Sequence, residues 1–165
     1  MKTALRIFLL AGAAGLGFWL WMTLFPSPEK IVLKKISRLA AAASFDTSAS
    51  NITRAGKASE VVALFASDAQ IVVDVTSAGV RTLNGREEIR EAALGGFASV
   101  HSLNVRFIDL SVKVGGDQQS AEVNCTAEVR GGESKDFGVE EMRFQFRKID
   151  KDWLITRAET VKTLQ

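Results

Sequence analysis

Apolar side chains recur at alternate positions through the last quarter of the chain, Val139 to Val161 (VEEMRFQFRKIDKDWLITRAETV). Met142, Phe144 and Phe146 mark one arm, and Trp153 and Ile155 the other, around a turn at Asp150-Lys151-Asp152. Period two on both arms predicts a long β-hairpin. Such a hairpin cannot bury its apolar surface alone and needs more strands or a helix against it. Glu29 to Phe45 supplies a helix, with Val32, Ile36, Leu39 and Ala43 on one face and Lys34, Lys35 and Arg38 largely on the other. Pro28 just ahead suits a helix start. Asp46 to Asn51 is a polar loop. A second helix is expected from about Arg54 to Ala66, burying Val61, Val62, Leu64 and Phe65. Gln70 to Val75 reads as a β-branched strand, followed by a turn at Ser77-Ala78-Gly79 and a short return strand, Val80 to Leu83.

Asn84-Gly85 then opens a third helix, Arg86 to about Phe97, with Ile89, Ala93 and Phe97 on one face and Glu87 and Glu88 at the positive end of its dipole. Leu103 to Val114 is a long strand interrupted by Asp109, and Gly115-Gly116-Asp117 is a hairpin turn. Ser120 to Arg130 alternates Ala121, Val123, Cys125, Ala127 and Val129 against Glu122, Asn124, Thr126 and Glu128. That strand covers a core with one face and meets water or a cavity with the other. Gly131-Gly132 leads into a looser connection. Helices followed by runs of strands give an α+β domain over residues 29–165, with helices on one face of a strongly curved antiparallel sheet.

Ahead of this domain, Ile7 to Phe25 (IFLLAGAAGLGFWLWMTLF) holds no charge. As a helix, its roughly 28 Å matches a hydrocarbon core. Trp19 and Trp21 lie near one end, where amphipathic rings favour the interface. A cleaved secretory signal is the rival, but the run is long for one and LFPSPEK shows no A-x-A-like site. One transmembrane helix is therefore expected within residues 1–28, with the bilayer as partner through Ile7 to Phe25. Lys2 and Arg6 favour a cytoplasmic N-terminus, whereas Lys30, Lys34, Lys35 and Arg38 pull the other way. Those four belong to the first helix of a folded domain, which favours a bacterial-type inner-membrane protein with a periplasmic domain.

Composition narrows the function classes. A formal charge of +2 and scattered basic residues, with no aromatics interleaved, argue against a nucleic-acid platform. The single cysteine, Cys125, falls on the apolar side of its strand and reads as a small core residue.

The order of elements, with LNGREEIREA (Leu83 to Ala92) and DKDWLITRAETV (Asp150 to Val161), resembles the nuclear transport factor 2-like superfamily, which includes SnoaL-like and ketosteroid isomerase-like domains. The resemblance covers about residues 29 to 165. It implies a cone-shaped α+β barrel, a curved sheet packed on three helices around a pocket, often dimerising through the sheet. Such domains include enzymes, binding modules and assembly domains, so fold alone does not give function.

The chemistry of such members can be tested on the residues. Ketosteroid isomerases use an Asp base with a Tyr and a protonated Asp, and this chain has no tyrosine. Dehydration of the scytalone dehydratase kind relies on histidine and tyrosine, and the one histidine, His101, stands between the third helix and the long strand. No metal-ligand spacing is present and no cofactor is expected. An Asp-Arg-Asp device like that of limonene epoxide hydrolase-type members has its ingredients in Asp74, Arg106, Asp109, Glu141, Arg157 and Glu159, which with Arg143, a plausible partner on the neighbouring strand, are the candidate pocket residues. Strand charges more commonly pair across a solvated face, each pair contributing about 0.2–1 kcal/mol. Strict alternation from Trp153 and Ile155 puts Arg157 and Glu159 on the core face, where a charge must be paired or line a wet cavity. Alternatively the strand end emerges into solvent, which is the expectation here. The expected function is a membrane-anchored, non-catalytic domain binding a small apolar ligand or a partner protein, with a homodimer through the sheet as one form. The alternative is a small hydrolase or isomerase acting on an apolar substrate through strand carboxylates.

Overall fold

The structure, a computed structural model, describes residues 27–75, 79–131 and 137–161. The run Ile7 to Phe25 lies outside them, as do Ser77, Ala78 and Gly132 of the expected connections. Among the described residues, no helix is long and apolar enough to cross a membrane.

Helix α1, Pro28–Ala42, starts on a proline whose fixed φ suits the first turn and buries Val32, Ile36, Leu39 and Ala42 at helical spacing. It stops short of the expected Phe45 because Phe45 exchanges backbone hydrogen bonds with Leu103, at 2.8 and 2.9 Å. The Phe45 ring packs against Phe97, with centroids 5.2 Å apart. Lys35, expected on the solvent side, is buried, and its ammonium lies 2.8 Å from the Asp152 carboxylate.

Helix α2, Asn51–Ala63, begins three residues before the expected Arg54 because Ser50 caps it, its Oγ accepting from the Thr53 N–H at 3.2 Å. The helix does not reach Ala66. Leu64 ends it, and Phe65 opens strand β1, Phe65–Val75, well ahead of the expected Gln70. An uninterrupted apolar run carries no local signal for the switch from helix to strand. Here tertiary pairing decides: Phe65 stands beside Ile155, whose N–H donates to the Leu64 carbonyl at 2.9 Å.

Strand β2, Gly79–Asn84, returns antiparallel to β1. It leads into helix α3, Gly85–Ser99. Gly85 takes φ 75°, and an added Cβ there would meet the Ser67 carbonyl at 3.3 Å. Glu88 reaches back to accept from the Asn84 N–H at 2.7 Å, and Arg86 Nε donates to the Phe65 carbonyl at 2.8 Å. The Gly-Arg-Glu start thus joins the helix to an irregular stretch of β1.

Four more strands follow: β3, Leu103–Val114; β4, Ser120–Gly131; β5, Phe137–Ile149; and β6, Asp152–Thr160. The six-stranded sheet runs β2-β1-β6-β5-β4-β3. Its pairs are antiparallel except β1–β6, which is parallel, a departure from the wholly antiparallel sheet expected. Asp109 sits at φ 53° in a register break of β3, between Ile108 and Ser111, which explains its interruption of the apolar pattern. The β5–β6 turn is narrower than expected: Asp150 and Lys151 alone form it, both at positive φ, as a two-residue primed turn requires. Asp152 already belongs to β6.

The three helices cover one face of this curved sheet. The core joins Val32, Ile36, Val62 and Ile89 of the helices to Val123, Phe144, Phe146, Trp153, Ile155 and Ala158 of the sheet. Lys35 and Asp152 tie the two layers together at the hairpin turn. The Lys35 side chain is buried and that of Asp152 is exposed, so removing Asp152 strands a buried cation, whereas an apolar replacement of Lys35 leaves only a solvated carboxylate. Asp152→Ala is expected to lower stability by about 1–3 kcal/mol, while Lys35→Met changes it by less than about 1 kcal/mol. Urea denaturation of both variants measures this, and equal losses would contradict it.

Candidate functional site

The sheet has a concave face toward the helices and an outer face away from them, and β6 distributes its side chains between the two. Trp153 and Ile155 point into the core. Ile155 pairs with Phe146, but the next pair is Arg157 with Gln145, so Thr156 is an extra residue on β6. Its hydroxyl donates to the Gln145 carbonyl at 3.2 Å. The bulge inverts the alternation. Ala158 becomes the buried residue, and Arg157 and Glu159 turn to the outer face. Strict alternation would put both charges on the core face; the expected contact with solvent is reached by this bulge and not by the strand end leaving the core.

On the outer face these two charges join a ladder across five strands. The Glu159 carboxylate accepts from Arg157 Nε at 2.7 Å and from Arg143 Nη1 at 3.4 Å. Arg143 Nε donates to Asn124 Oδ1 at 3.2 Å and stands 4.0 Å from the Glu122 carboxylate. Asn124 in turn donates to Glu122 at 3.1 Å. In the other direction Arg157 Nη1 donates to Gln70 Oε1, and Gln70 donates to Asn84 Oδ1 at 3.1 Å. The residues occupy two adjacent cross-strand rows, Asn124-Arg143-Glu159 and Glu122-Gln145-Arg157-Gln70-Asn84. The side chains of Arg143, Arg157 and Glu159 are 38%, 37% and 19% exposed, so water still screens the pairs.

Of the seven candidates, the structure draws Arg143, Arg157 and Glu159 into one network. Arg106 lies on edge strand β3, 4.0 Å from Glu128. Asp109 is exposed in the β3 bulge. Glu141 stands opposite Thr126, its carbonyl accepting from the Val161 N–H at 2.8 Å. Asp74 lies on β1, where its N–H donates to Thr160 Oγ1 at 3.0 Å. Strands β1 and β3 are four strand spacings apart, roughly 19 Å along the sheet. Asp74 and Asp109 thus stand well apart along the sheet, and the structure does not bring them together with Arg157 as the alternative Asp-Arg-Asp device would need. Gln70, Asn84, Glu122 and Asn124 were not among the sequence candidates. Their signal is positional, and only the cross-strand register exposes it.

The concave face has another character. Phe107 meets Phe144 edge-on, with centroids 5.4 Å apart. Burial is complete around Val123, Phe146, Trp153 and Ile155 and falls along the strands toward Val73, Phe107, Val129 and Met142, which are half-buried. Cys125 lies among these carbons, and burial pushes its thiol up to about 11. His101 is exposed, and its carbonyl accepts from Arg54 at 3.2 Å. Among the described residues, no group of three or more His, Cys, Asp or Glu side chains gathers at metal-binding distance.

A family model described as a SnoaL-like domain matches residues 52–159. No curated protein matches the chain. Several solved structures share its fold. One is an NTF2-like protein with a cystatin-like fold from Novosphingobium aromaticivorans, 21% identical, with a TM-score of 0.63 over 89% of this chain and 87% of that one. Another is a protein of unknown function with a cystatin-like fold from Nostoc punctiforme, 16% identical, with a TM-score of 0.61 over 80% and 88% of the two chains. A third, also from Novosphingobium aromaticivorans, carries a provisional assignment as a scytalone dehydratase and is 13% identical, with a TM-score of 0.62 over 82% and 84%. At these identities the likeness is one of fold.

Two outcomes follow from the site. Arg157→Ala is expected to change stability by less than about 1 kcal/mol, because the pair it breaks is screened; a loss of several kcal/mol in urea denaturation would contradict the outer-face placement. Cys125 is expected to resist thiol reagents at pH 8 in the native state and to react fully in denaturant. Its raised folded value means that this contribution to stability is fully present below the unfolded value near 9.0 and is lost as pH rises toward about 11. Denaturation of wild type and Cys125→Ala across that range tests the sign.

Proposed function

The chain belongs to the SnoaL-like domain family, and from that membership we propose that it is a non-catalytic binding domain that takes a small apolar molecule against its concave sheet face. The observation that carries this is the division of the sheet. The concave face grades from a filled core to half-buried carbon side chains at Val73, Phe107, Val129 and Met142. Arg143, Arg157 and Glu159 are hydrogen-bonded to one another on the opposite face, while Glu140 and Arg81 stand exposed at the ends of the concave rows of Ala127 and Val73. An apolar surface with few polar groups suits retention of a hydrophobic ligand, while general acid–base chemistry needs a titratable group within reach of the reacting atom.

The uncharged run Ile7 to Phe25 supports the further proposal that the domain is held at a bilayer, outside the cytoplasm, with its ligand drawn from that apolar phase. A second copy of the chain against the outer face would meet the ladder from Asn124 to Asn84, which offers donors and acceptors to a polar partner surface.

The full chain purified from its own host is expected to carry an apolar small molecule detectable by native mass spectrometry. It is also expected to bind an environment-sensitive apolar fluorophore. Met142→Arg puts a charge on the concave face and is expected to weaken fluorophore binding at least tenfold, about 1.4 kcal/mol, with Arg157→Ala leaving it unchanged. Turnover of the co-purified molecule that Arg157→Ala or Glu159→Gln abolishes would overturn the proposal in favour of a hydrolase or isomerase.

A further inference from the structure

Lys30, Lys34 and Arg38 stand at i, i+4 and i+8 on α1, in one exposed stripe about 12 Å long. Together with Ile31, Lys35 and Asp152 they line a recess of about 420 Å³. Lys35 is engaged by Asp152 at its floor. Among the described residues, no carboxylate forms an ion pair with Lys30, Lys34 or Arg38. Like charges four residues apart on a helix repel, and acids at i+3 or i+4 ordinarily relieve them. Helix α1 holds one acid, Glu29, ahead of the stripe. The β5–β6 turn abuts the same recess through Asp152 and adds Lys151, exposed at its tip.

The stripe is thus a concentrated positive surface that no carboxylate of the described residues pairs. Its first cation, Lys30, follows the uncharged run Ile7 to Phe25 by five residues in the sequence. We propose that α1 docks flat on an anionic lipid surface through Lys30, Lys34 and Arg38, which fixes how the domain sits on the bilayer. The proposal deepens the membrane part of the function proposed above and rests on it. Basic groups beside a bilayer are drawn to anionic headgroups over about one Debye length, and salt screens that attraction. The charges are exposed and outside the core, so they can be removed without disturbing the fold. Lys35 is left in place because its partner is Asp152.

The test uses the full chain mixed with vesicles. A fluorophore is attached at Ser37→Cys, an exposed α1 position, since the native Cys125 is buried. Vesicles of phosphatidylcholine alone, or with about 30% phosphatidylglycerol, carry a headgroup quencher. Quenching is expected to be roughly fivefold stronger or more with phosphatidylglycerol, and to fall to the phosphatidylcholine level in about 0.5 M NaCl and in the variant K30Q/K34Q/R38Q. Circular dichroism and urea denaturation check that the variant stays folded. Equal quenching in both vesicle types, or undiminished quenching in the folded variant, overturns the docking. Flotation with phosphatidylcholine vesicles at high salt reports the apolar run separately. A chain that floats there without lipid-dependent quenching keeps the anchor and loses the stripe. One that fails to float but is quenched with phosphatidylglycerol keeps the stripe and loses the anchor.

Discussion

Thr156 is one residue more in β6 than the facing stretch of β5 accommodates, and the bulge it forms decides where the charges of the closing hairpin lie. Side chains on a strand alternate with period two, so a single inserted residue exchanges the faces of everything after it. Before the bulge, Trp153 and Ile155 fill the core. After it, Ala158 takes over burial, and Arg157 and Glu159 meet Arg143 and Gln70 outside. Without the extra residue the same sequence would push a guanidinium and a carboxylate under the helices, at a cost that only a wet or fully paired cavity could offset. The separation of a hydrocarbon concave face from a hydrogen-bonded outer face depends on this one irregularity.

Two further contacts hold the helices against the sheet that the bulge has sorted. Lys35 reaches Asp152 at the start of β6, and Arg86 reaches the Phe65 carbonyl where β1 is irregular. Each satisfies a group that the regular ladder or the helix leaves over. Both lie next to apolar residues and so are shielded more than a free surface pair. They explain why Lys35 is tolerated at a buried position and why the Gly85-Arg86 helix start adjoins a strand.

The two sheet faces and the α1 stripe give the molecule three surfaces of different chemistry. The concave face is mostly carbon, the outer face carries the hydrogen-bonded ladder, and α1 carries a positive stripe with no ion pair among the described residues. They are complementary in the proposed arrangement. The stripe meets anionic headgroups, the concave face takes an apolar molecule, and the outer face remains available to a polar partner. The outer-face pairs are too screened to contribute much stability singly.

The periodic segments were legible without a structure. Strand β3 was bounded correctly at Leu103 and Val114, β4 was displaced at one end only, and the β5–β6 hairpin, with Trp153 and Phe146 as core, followed from alternation. These are properties that each residue expresses through its near neighbours, so period and turn chemistry carry them. The start of β1, the parallel β1–β6 pair, the burial of Lys35 and the ladder from Asn124 to Asn84 depend on which distant strand lies alongside, and local sequence does not encode that partner. The bulge at Thr156 is the clearest case. Nothing in DWLITRAET distinguishes an in-register strand from one with an extra residue, because the mismatch exists only in relation to β5. The sequence alone therefore determined the elements, their order and the identity of the core. Only the tertiary structure decided which face received the charges, because register is a property of two strands.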